Sequence, residues 1–260
     1  MIADSTELTR LVLAPNAGPM TLQGTNTYLI SADWTSSVVV DPGPDDPEHV
    51  ASLVSIAPVA LILVTHRHPD HTDAIGRLHE ATDAPVRALD PAFCRGGGAV
   101  LLPGSIECAG VSIDVVPTPG HTDDSVCFHL PDDGPGGSML TGDTILGAGT
   151  TVIAHPDGDL EEYFESLNVL ESYGALRVLP GHGPQLPALD EVARRYRNHR
   201  LERLEQVVAV RRALGPGVQG DALVQAIVDR VYSGTPAQVR FAAEKSVAAQ
   251  CAYLDRQGRT

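Results

Sequence analysis

Short apolar runs and longer helical patterns alternate along the first 190 residues of the chain. Most of the short runs are bounded by Gly, Pro or Asp, which is typical of strands. They predict strands at residues 11–13, 25–30, 38–41, 61–65, 86–89, 111–116, 125–130, 139–141 and 178–179. Apolar residues at helical spacing predict helices at residues 47–57, 72–81 and 160–173. This alternation indicates one α/β domain, which we place at residues 1–190.

A helical pattern begins after Leu189 and predicts a small C-terminal module at residues 191–260. Its helices are expected at residues 190–212, 221–232 and 235–258. The third helix has Thr235 as its predicted N-cap and Pro236 as its first helical residue, and Gln238 completes a capping box. Because only two residues separate the last two helices, the module resembles a helix-turn-helix or the core of a winged helix.

Composition and charge narrow the class of protein. The 260 residues are 43% hydrophobic and 20% charged, which excludes a disordered or collagen-like chain. A net charge of −15 disfavours charge-driven binding of nucleic acid and leaves a local basic site open. The longest apolar runs are far shorter than the roughly 20 residues that cross a bilayer, and residues 1–10 do not resemble a signal peptide. We therefore expect a cytoplasmic protein, with no membrane association and with its four cysteines as free thiols.

Four metal-binding side chains lie within six residues, in the segment His66-Arg67-His68-Pro69-Asp70-His71. This segment follows the predicted strand at residues 61–65, so its side chains can spread from one turn toward two adjacent metal ions. Imidazole and carboxylate ligands suit zinc. Further His or Asp residues stand beside Gly in Pro119-Gly120-His121-Thr122, Thr141-Gly142-Asp143 and Pro180-Gly181-His182-Gly183. Glycine at these positions lets the backbone approach a metal closely.

These segments, together with Asp41-Pro42-Gly43, resemble in order the five motifs of the metallo-β-lactamase superfamily. The resemblance covers about residues 8–186 and implies a four-layer αββα sandwich, here followed by the helical, winged-helix-like module. It implies one zinc held by His66, His68 and His121, a second held by Asp70, His71 and His182, and a bridging Asp143. By the same resemblance Asp70 and Asp143 are catalytic as well as metal ligands, and Asp41 is a structural acid.

Two ions that share a carboxylate would lower the pKa of a bridging water toward 7. The resulting hydroxide would attack an ester, thioester or phosphodiester, and the ions would polarise the bond and stabilise the leaving group. The sequence therefore predicts a hydrolase with two Zn²⁺ ions. Mn²⁺ or Fe could also occupy such a site, because ligand type alone does not determine metal selectivity.

A narrower resemblance involves Thr21-Leu22-Gln23-Gly24-Thr25-Asn26-Thr27-Tyr28-Leu29, which is similar to the opening of the beta-lactamase-like protein family of single-strand endoribonucleases and its bacterial relatives. The same subgroup resembles thioesterases that release polyketides from carrier proteins. Residues 190–212 contain seven Arg against four acids. Within this basic stretch, Asn198, His199 and Arg200 are candidates for contact with a phosphate backbone. The alternative is a solvated basic face that packs against the catalytic domain.

Three functions follow from these patterns. Cleavage of RNA phosphodiester bonds is the preferred hypothesis, on the opening motif and the basic helix. The alternative is a thioesterase or a glyoxalase II-like thioester hydrolase with a small thioester or ester substrate. The third hypothesis is a binding module without catalytic activity that zinc stabilises. The sequence leaves the oligomeric state open.

Overall fold

Two β-sheets packed face to face organise the computed structural model, which describes residues 2–259. The first sheet contains, in chain order, β1 (Ile2–Asp4), β2 (Thr9–Leu13), β3 (Asn26–Ile30), β4 (Ser37–Val40), β5 (Val59–Leu63) and β6 (Val86–Arg87). The second contains β7 (Gly104–Cys108), β8 (Val111–Pro117), β9 (Val126–Leu130), β10 (Ser138–Gly142) and β11 (Arg177–Pro180), in the spatial order β11-β10-β9-β8-β7. Pairing is parallel for β4–β5, β5–β6 and β10–β11 and antiparallel elsewhere.

Helices cover both outer faces of this pair of sheets. They are α1 (Pro47–Val54), α2 (Pro69–Thr72), α3 (Ile75–Thr82), α4 (Leu160–Ser172), α5 (Leu189–Leu214), α6 (Gly220–Val231) and α7 (Arg240–Arg256). Short 3₁₀ turns occur at Pro91–Phe93 and Ala237–Val239.

The layering follows from the alternation of side chains along each strand. In β5, Leu61 and Leu63 belong to the core between the two sheets, whereas Ile62 packs in the core that includes Leu53 of α1 and Leu78 of α3. Successive strand residues point to opposite faces, so an all-apolar strand must be covered on both sides. The predicted four-layer αββα sandwich is confirmed.

The C-terminal helices share a core with the outer face of the second sheet. Met139 of β10 and Leu167 of α4 lie in one apolar cluster with Leu204 of α5, Ile227 of α6 and Val247 of α7. Within residues 2–259 no strand follows β11, so the predicted helical module is present and a winged-helix β-wing is not. No helix in that range is both long and apolar enough to span a membrane. The four cysteines are free thiols, as predicted.

Several predicted boundaries are wrong. Strands β1 and β7 were not predicted. The predicted helix at 72–81 corresponds to α3, which begins at Ile75, and the short helix α2 before it was not predicted. The third C-terminal helix begins at Arg240 instead of after Thr235, because Pro236 is extended, with ψ 145°, and precedes a 3₁₀ turn. An extended Pro236 cannot be the first residue of an α-helix.

Candidate metal centre

The candidate metal-binding residues lie where four strands end at one edge of the sandwich. His66 and His68 follow β5, and Asp70 and His71 lie in the short helix α2. His121, Asp143 and His182 follow β8, β10 and β11, respectively. Because β8 and β10 are both antiparallel to β9, and β11 is parallel to β10, these three strands end at the same edge. The amide of Val126 donates to the carbonyl of Thr65 at 2.8 Å and joins this edge to the loop after β5.

Three imidazoles form the first group of potential ligands. Nδ1 of His68 lies 3.1 Å from Nε2 of His66 and 3.0 Å from Nε2 of His121. Their ligand atoms lie within 4.8 Å of one another. Three nitrogens at such distances can coordinate one metal ion together.

A second group contains Asp70, His71 and His182. Nε2 of His182 lies 3.1 Å from Oδ2 of Asp70 and 3.2 Å from Nε2 of His71. His71 and His182 are fully buried. This group offers one carboxylate and two imidazoles as ligands. Such a set of ligands suits zinc and also manganese or iron.

Asp143 lies between the two groups. Its Oδ1 is 3.4 Å from Nε2 of both His71 and His182, and its Oδ2 is 3.7 Å from Nε2 of His121. The Oδ1 atom is buried and has no hydrogen-bond partner among the described residues. Because an unpartnered buried carboxylate oxygen is costly, its position among imidazole nitrogens fits a metal ion.

The outward-facing nitrogen of each histidine contacts an acceptor. The pairs are His66 Nδ1 with Thr65 Oγ1 at 3.0 Å, His68 Nε2 with Asp157 Oδ2 at 3.2 Å, His71 Nδ1 with Asp41 Oδ2 at 2.8 Å, His121 Nδ1 with the Val152 carbonyl at 2.8 Å, and His182 Nδ1 with the Gly24 carbonyl at 3.1 Å. An N–H that donates outward leaves the lone pair of the other nitrogen directed to the centre. The surrounding groups thus orient all five rings toward the candidate centre.

Asp41 anchors the loop that carries four of the seven residues. It has a left-handed backbone, with φ 54°, and is buried. Its Oδ1 accepts from the amide of Thr65 and its Oδ2 from the hydroxyl of Thr65, both at 2.7 Å. Together with the contact to His71, these bonds make Asp41 a supporting acid beside the centre, in the role that the sequence resemblance implies.

Two glycines allow the close approach that the sequence predicts. A Cβ on Gly181 would lie 2.7 Å from Oδ1 of Asp143 and 2.9 Å from Cε1 of His71. Gly120 has φ 131°, and a Cβ there would lie 2.4 Å from Cα of Tyr163. A larger residue at either position would displace the loops that carry His121, Asp143 and His182.

Comparison with known proteins places this geometry in a family. The sequence profile described as "Metallo-beta-lactamase superfamily" matches residues 20–182, which contain all seven candidate ligands. The chain belongs to the metallo-beta-lactamase superfamily. It is therefore a hydrolase, which excludes the binding module without catalytic activity.

Individual proteins of known sequence or structure are similar to this chain over most of its length. A Caenorhabditis elegans protein named "Beta-lactamase-like protein 2 homolog" is 31% identical over 249 residues, covering 91% of this chain and 80% of its own length. An Aspergillus chevalieri protein named "Atrochrysone carboxyl ACP thioesterase" is also 31% identical, covering 88% and 74%. The structure of a metallo-beta-lactamase family protein from Thermus thermophilus superposes with a TM-score of 0.77 at 21% identity, covering 96% and 94%, and shows the same fold.

Burial and neighbouring charges shift the pKa of four candidate histidine ligands in two opposite directions. Burial lowers the pKa of His121 to about 4 and the pKa of His66 well below its usual value. Burial also opposes protonation of His71 and His182, but nearby carboxylates, Asp143 among them, outweigh it and raise the pKa of both. Burial alone would raise the pKa of Asp143, but the neighbouring His182 and His71 outweigh burial and hold that pKa well below the usual range. Without a metal, His71 and His182 therefore hold a proton more strongly than His66 and His121 do, and a metal must compete with that proton.

A pocket of about 290 Å³ opens onto the candidate metal centre at His121 and Asp143. Its walls come from the loop before β3, the loop after β10 and the C-terminal helices. The apolar part of the lining includes Met20, Leu22, Leu146, Val152, Ala242 and Ala243. The C-terminal module thus forms part of the pocket at the candidate metal centre.

The three predicted substrate contacts do not share one surface. Asn198 is exposed and lies in a shallow depression on α5, outside the pocket. His199 is half-buried and lines both features. Arg200 is only 4% exposed and lines the pocket, where its Nη2 donates to the carbonyl of Thr151. Successive residues of a helix point about 100° apart, so one surface cannot hold all three.

Asp157 is a supporting residue that sequence analysis missed. Its Oδ2 is 3.2 Å from Nε2 of His68, and its Oδ1 accepts from the guanidinium of Arg67. Asp157 lies 89 residues beyond His68 in a loop outside the five motifs. No local pattern around it could have indicated this contact.

Proposed function

We propose that this chain hydrolyses acyl thioesters with two divalent metal ions. One ion would be held by His66, His68 and His121 and the other by Asp70, His71 and His182, with Asp143 shared between them. The buried and unpartnered Oδ1 of Asp143 supports a shared ion contact there. Two such ions would provide a nucleophile at neutral pH and polarise the thioester carbonyl. The ligand types favour zinc, and manganese or iron would also fit.

The apolar pocket is the observation that carries this proposal. It opens directly onto His121 and Asp143, so a group bound in it has its reactive end at the centre. Ala242 and Ala243 of α7 pack against it from one side, and Met20 and Leu22 from the other. These walls suit an acyl group and exclude water from it.

The remaining pocket residues fit a leaving group that needs no added proton. Outside the candidate ligands, the titratable residues of the pocket are His199, Arg200 and Tyr232 within the described chain. Burial and the neighbouring Arg200 and Arg203 lower the pKa of His199, so it is neutral at pH 7. A thiol has a pKa of roughly 8.5, so a thiolate departs without an acid, unlike the alkoxide released from RNA.

The basic helix α5 gives little support to RNA cleavage, the hypothesis that the sequence favours. Several arginines of α5 are engaged by other side chains: Arg194 and Arg197 contact Glu171, and Arg211 contacts Asp255. Binding of a phosphate backbone requires accessible cations, and the whole chain carries a charge of −15. A relative named as a carrier-protein thioesterase, 31% identical, also favours the thioester alternative.

The experiment compares both substrate classes on one zinc-loaded preparation. Acyl thioesters of N-acetylcysteamine and a labelled single-stranded RNA are assayed with the wild type, Asp143→Asn and the exposed control Asp132→Asn. We expect thioester turnover that Asp143→Asn reduces at least about a hundredfold and Asp132→Asn leaves unchanged. RNA cleavage lost in Asp143→Asn, without thioester turnover, would replace this proposal with the nuclease.

A further inference from the structure

A buried cation without a matching anion lies in the pocket wall. Arg200 is 4% exposed, and none of the carboxylates that the structure describes forms an ion pair with it. Its Nη2 donates to the carbonyl of Thr151, whereas its Nε is buried and has no hydrogen-bond partner. An uncompensated buried charge is strongly unfavourable, so such a group is usually paired.

The contacts of Arg200 with the protein leave its charge uncompensated. The guanidinium carbon lies 5.5 Å from the ring centroid of Tyr163, a cation–π contact that is weak at this distance. The hydrogen bond to Thr151 tethers the loop whose next residue, Val152, accepts from His121. A neutral donor could provide that tether equally well. Neither contact accounts for a cation in this place.

The position of Arg200 indicates what could pair with it. Among the described residues that line the pocket, it is the one permanently charged cation, and apolar walls surround it. The same pocket opens onto His121 and Asp143. A ligand that fills the pocket would therefore lie against Arg200 and have its reactive end at the centre.

We propose that Arg200 binds a carboxylate carried by the acyl group of the substrate. The substrate class is then an acyl thioester with a second, anionic carboxyl function beyond the thioester carbonyl. This inference rests on the proposed function, because it places the acyl group in the pocket. A guanidinium is suited to the task, since its planar array of donors matches a carboxylate and remains charged at any physiological pH.

The test uses analogues that cannot be hydrolysed, in which a methylene group replaces the thioester sulfur. One analogue ends in a carboxylate and its partner in the corresponding primary amide. Dissociation constants are measured by calorimetry on the zinc-loaded wild type, Arg200→Gln, Arg200→Lys and Arg195→Gln. Arg200→Gln keeps a donor for the carbonyl of Thr151, and Arg195 is an exposed arginine of the same helix outside the pocket.

We expect the wild type and Arg195→Gln to bind the carboxylate at least about tenfold more tightly than the amide. Arg200→Gln should lose that preference while it still binds the amide, and Arg200→Lys should keep part of it. The inference is overturned if the wild type shows no preference, or if Arg200→Gln keeps the full preference. If Arg200→Gln binds neither analogue, the Arg200→Lys variant decides. A reduced preference of Arg200→Lys for the carboxylate supports the pairing with a guanidinium. A preference unchanged from the wild type contradicts it.

This binding measurement is independent of turnover. If the carboxylate preference depends on Arg200 but no thioester is hydrolysed, the anion site stands and the proposed function fails. If thioesters are hydrolysed without such a preference, the proposed function stands and the anion site fails.

Discussion

Oδ2 of Asp41 lies 2.8 Å from Nδ1 of His71, and the two side chains are almost completely buried. The carboxylate is held in turn by the amide and hydroxyl of Thr65 at the start of the metal-binding loop. One acid therefore fixes both the loop and the orientation of a candidate ligand. The orientation of His71 toward the candidate centre therefore depends on this support.

Replacing Asp41 should weaken metal binding without removing a ligand. Asp41→Asn lowers the negative charge beside His71 and disturbs its ring orientation, so we expect zinc affinity to fall about 10–100-fold. Competition with a chromophoric chelator measures the change. The control is Asp45→Asn, an exposed acid that pairs with Arg77. Equal affinities for the two variants would contradict the supporting role of Asp41.

Metal uptake should release protons and strengthen as the pH rises. The raised pKa of His71 and of His182 in the metal-free centre means that zinc competes with protons for their nitrogens. His121, with a pKa of about 4, is already neutral at pH 7 and contributes no proton. Calorimetry of zinc binding at pH 7 in buffers of different ionisation enthalpy should show release of at least about one proton. Binding enthalpy that is independent of the buffer would count against this protonation pattern.

A methyl group on Gly181 should disrupt the contact between Asp143 and the second ligand group. Its Cβ would lie 2.7 Å from Oδ1 of Asp143, so that carboxylate must move. We expect Gly181→Ala to lose zinc from the centre, measured as metal content per chain after gel filtration. Gly76→Ala is the matched control, because a Cβ there meets nothing within 4 Å, and alanine in helix α3 should stabilise the fold by about 0.5–1 kcal/mol. Full zinc content in Gly181→Ala would show that the centre tolerates displacement of Asp143.

Filling the pocket should affect substrate binding more than chemistry. Ala242 is 6% exposed and lines the pocket on α7, so Ala242→Leu reduces the space for the acyl group. We expect KM for long acyl thioesters to rise about tenfold or more, with little change for acetyl thioesters and in zinc content. Ala222→Leu, on the exposed side of α6, is the control. A uniform loss for short and long substrates would indicate that α7 does not form an acyl pocket.

The sequence predicts the layers and the candidate ligands because both depend on local patterns. Strands such as β5 show their burial in consecutive apolar residues, and His66 to His71 lie within one turn-forming segment. Strand β7 was missed because Ile106 is its one buried residue and its neighbours are polar or small. Its position comes from pairing with β8, which no local pattern reveals.

Contacts between distant segments explain the other differences. Asp157 meets His68 across 89 residues, and the carbonyl of Val152 meets His121 across 31. Arg200 lies in a helix rich in arginine, where composition suggests a solvated basic face. Its burial depends on how α5 packs against the loop at Thr151, and that packing is a tertiary effect.

Anomalous diffraction at the zinc absorption edge, from crystals of the zinc-loaded protein, locates the bound metal ions. We expect two peaks, one among His66, His68 and His121 and one among Asp70, His71 and His182, with Asp143 between them. The same crystals of Asp143→Asn should show a loss of occupancy at one or both positions. A single fully occupied peak in the wild type, or peaks away from these residues, would contradict the dinuclear centre.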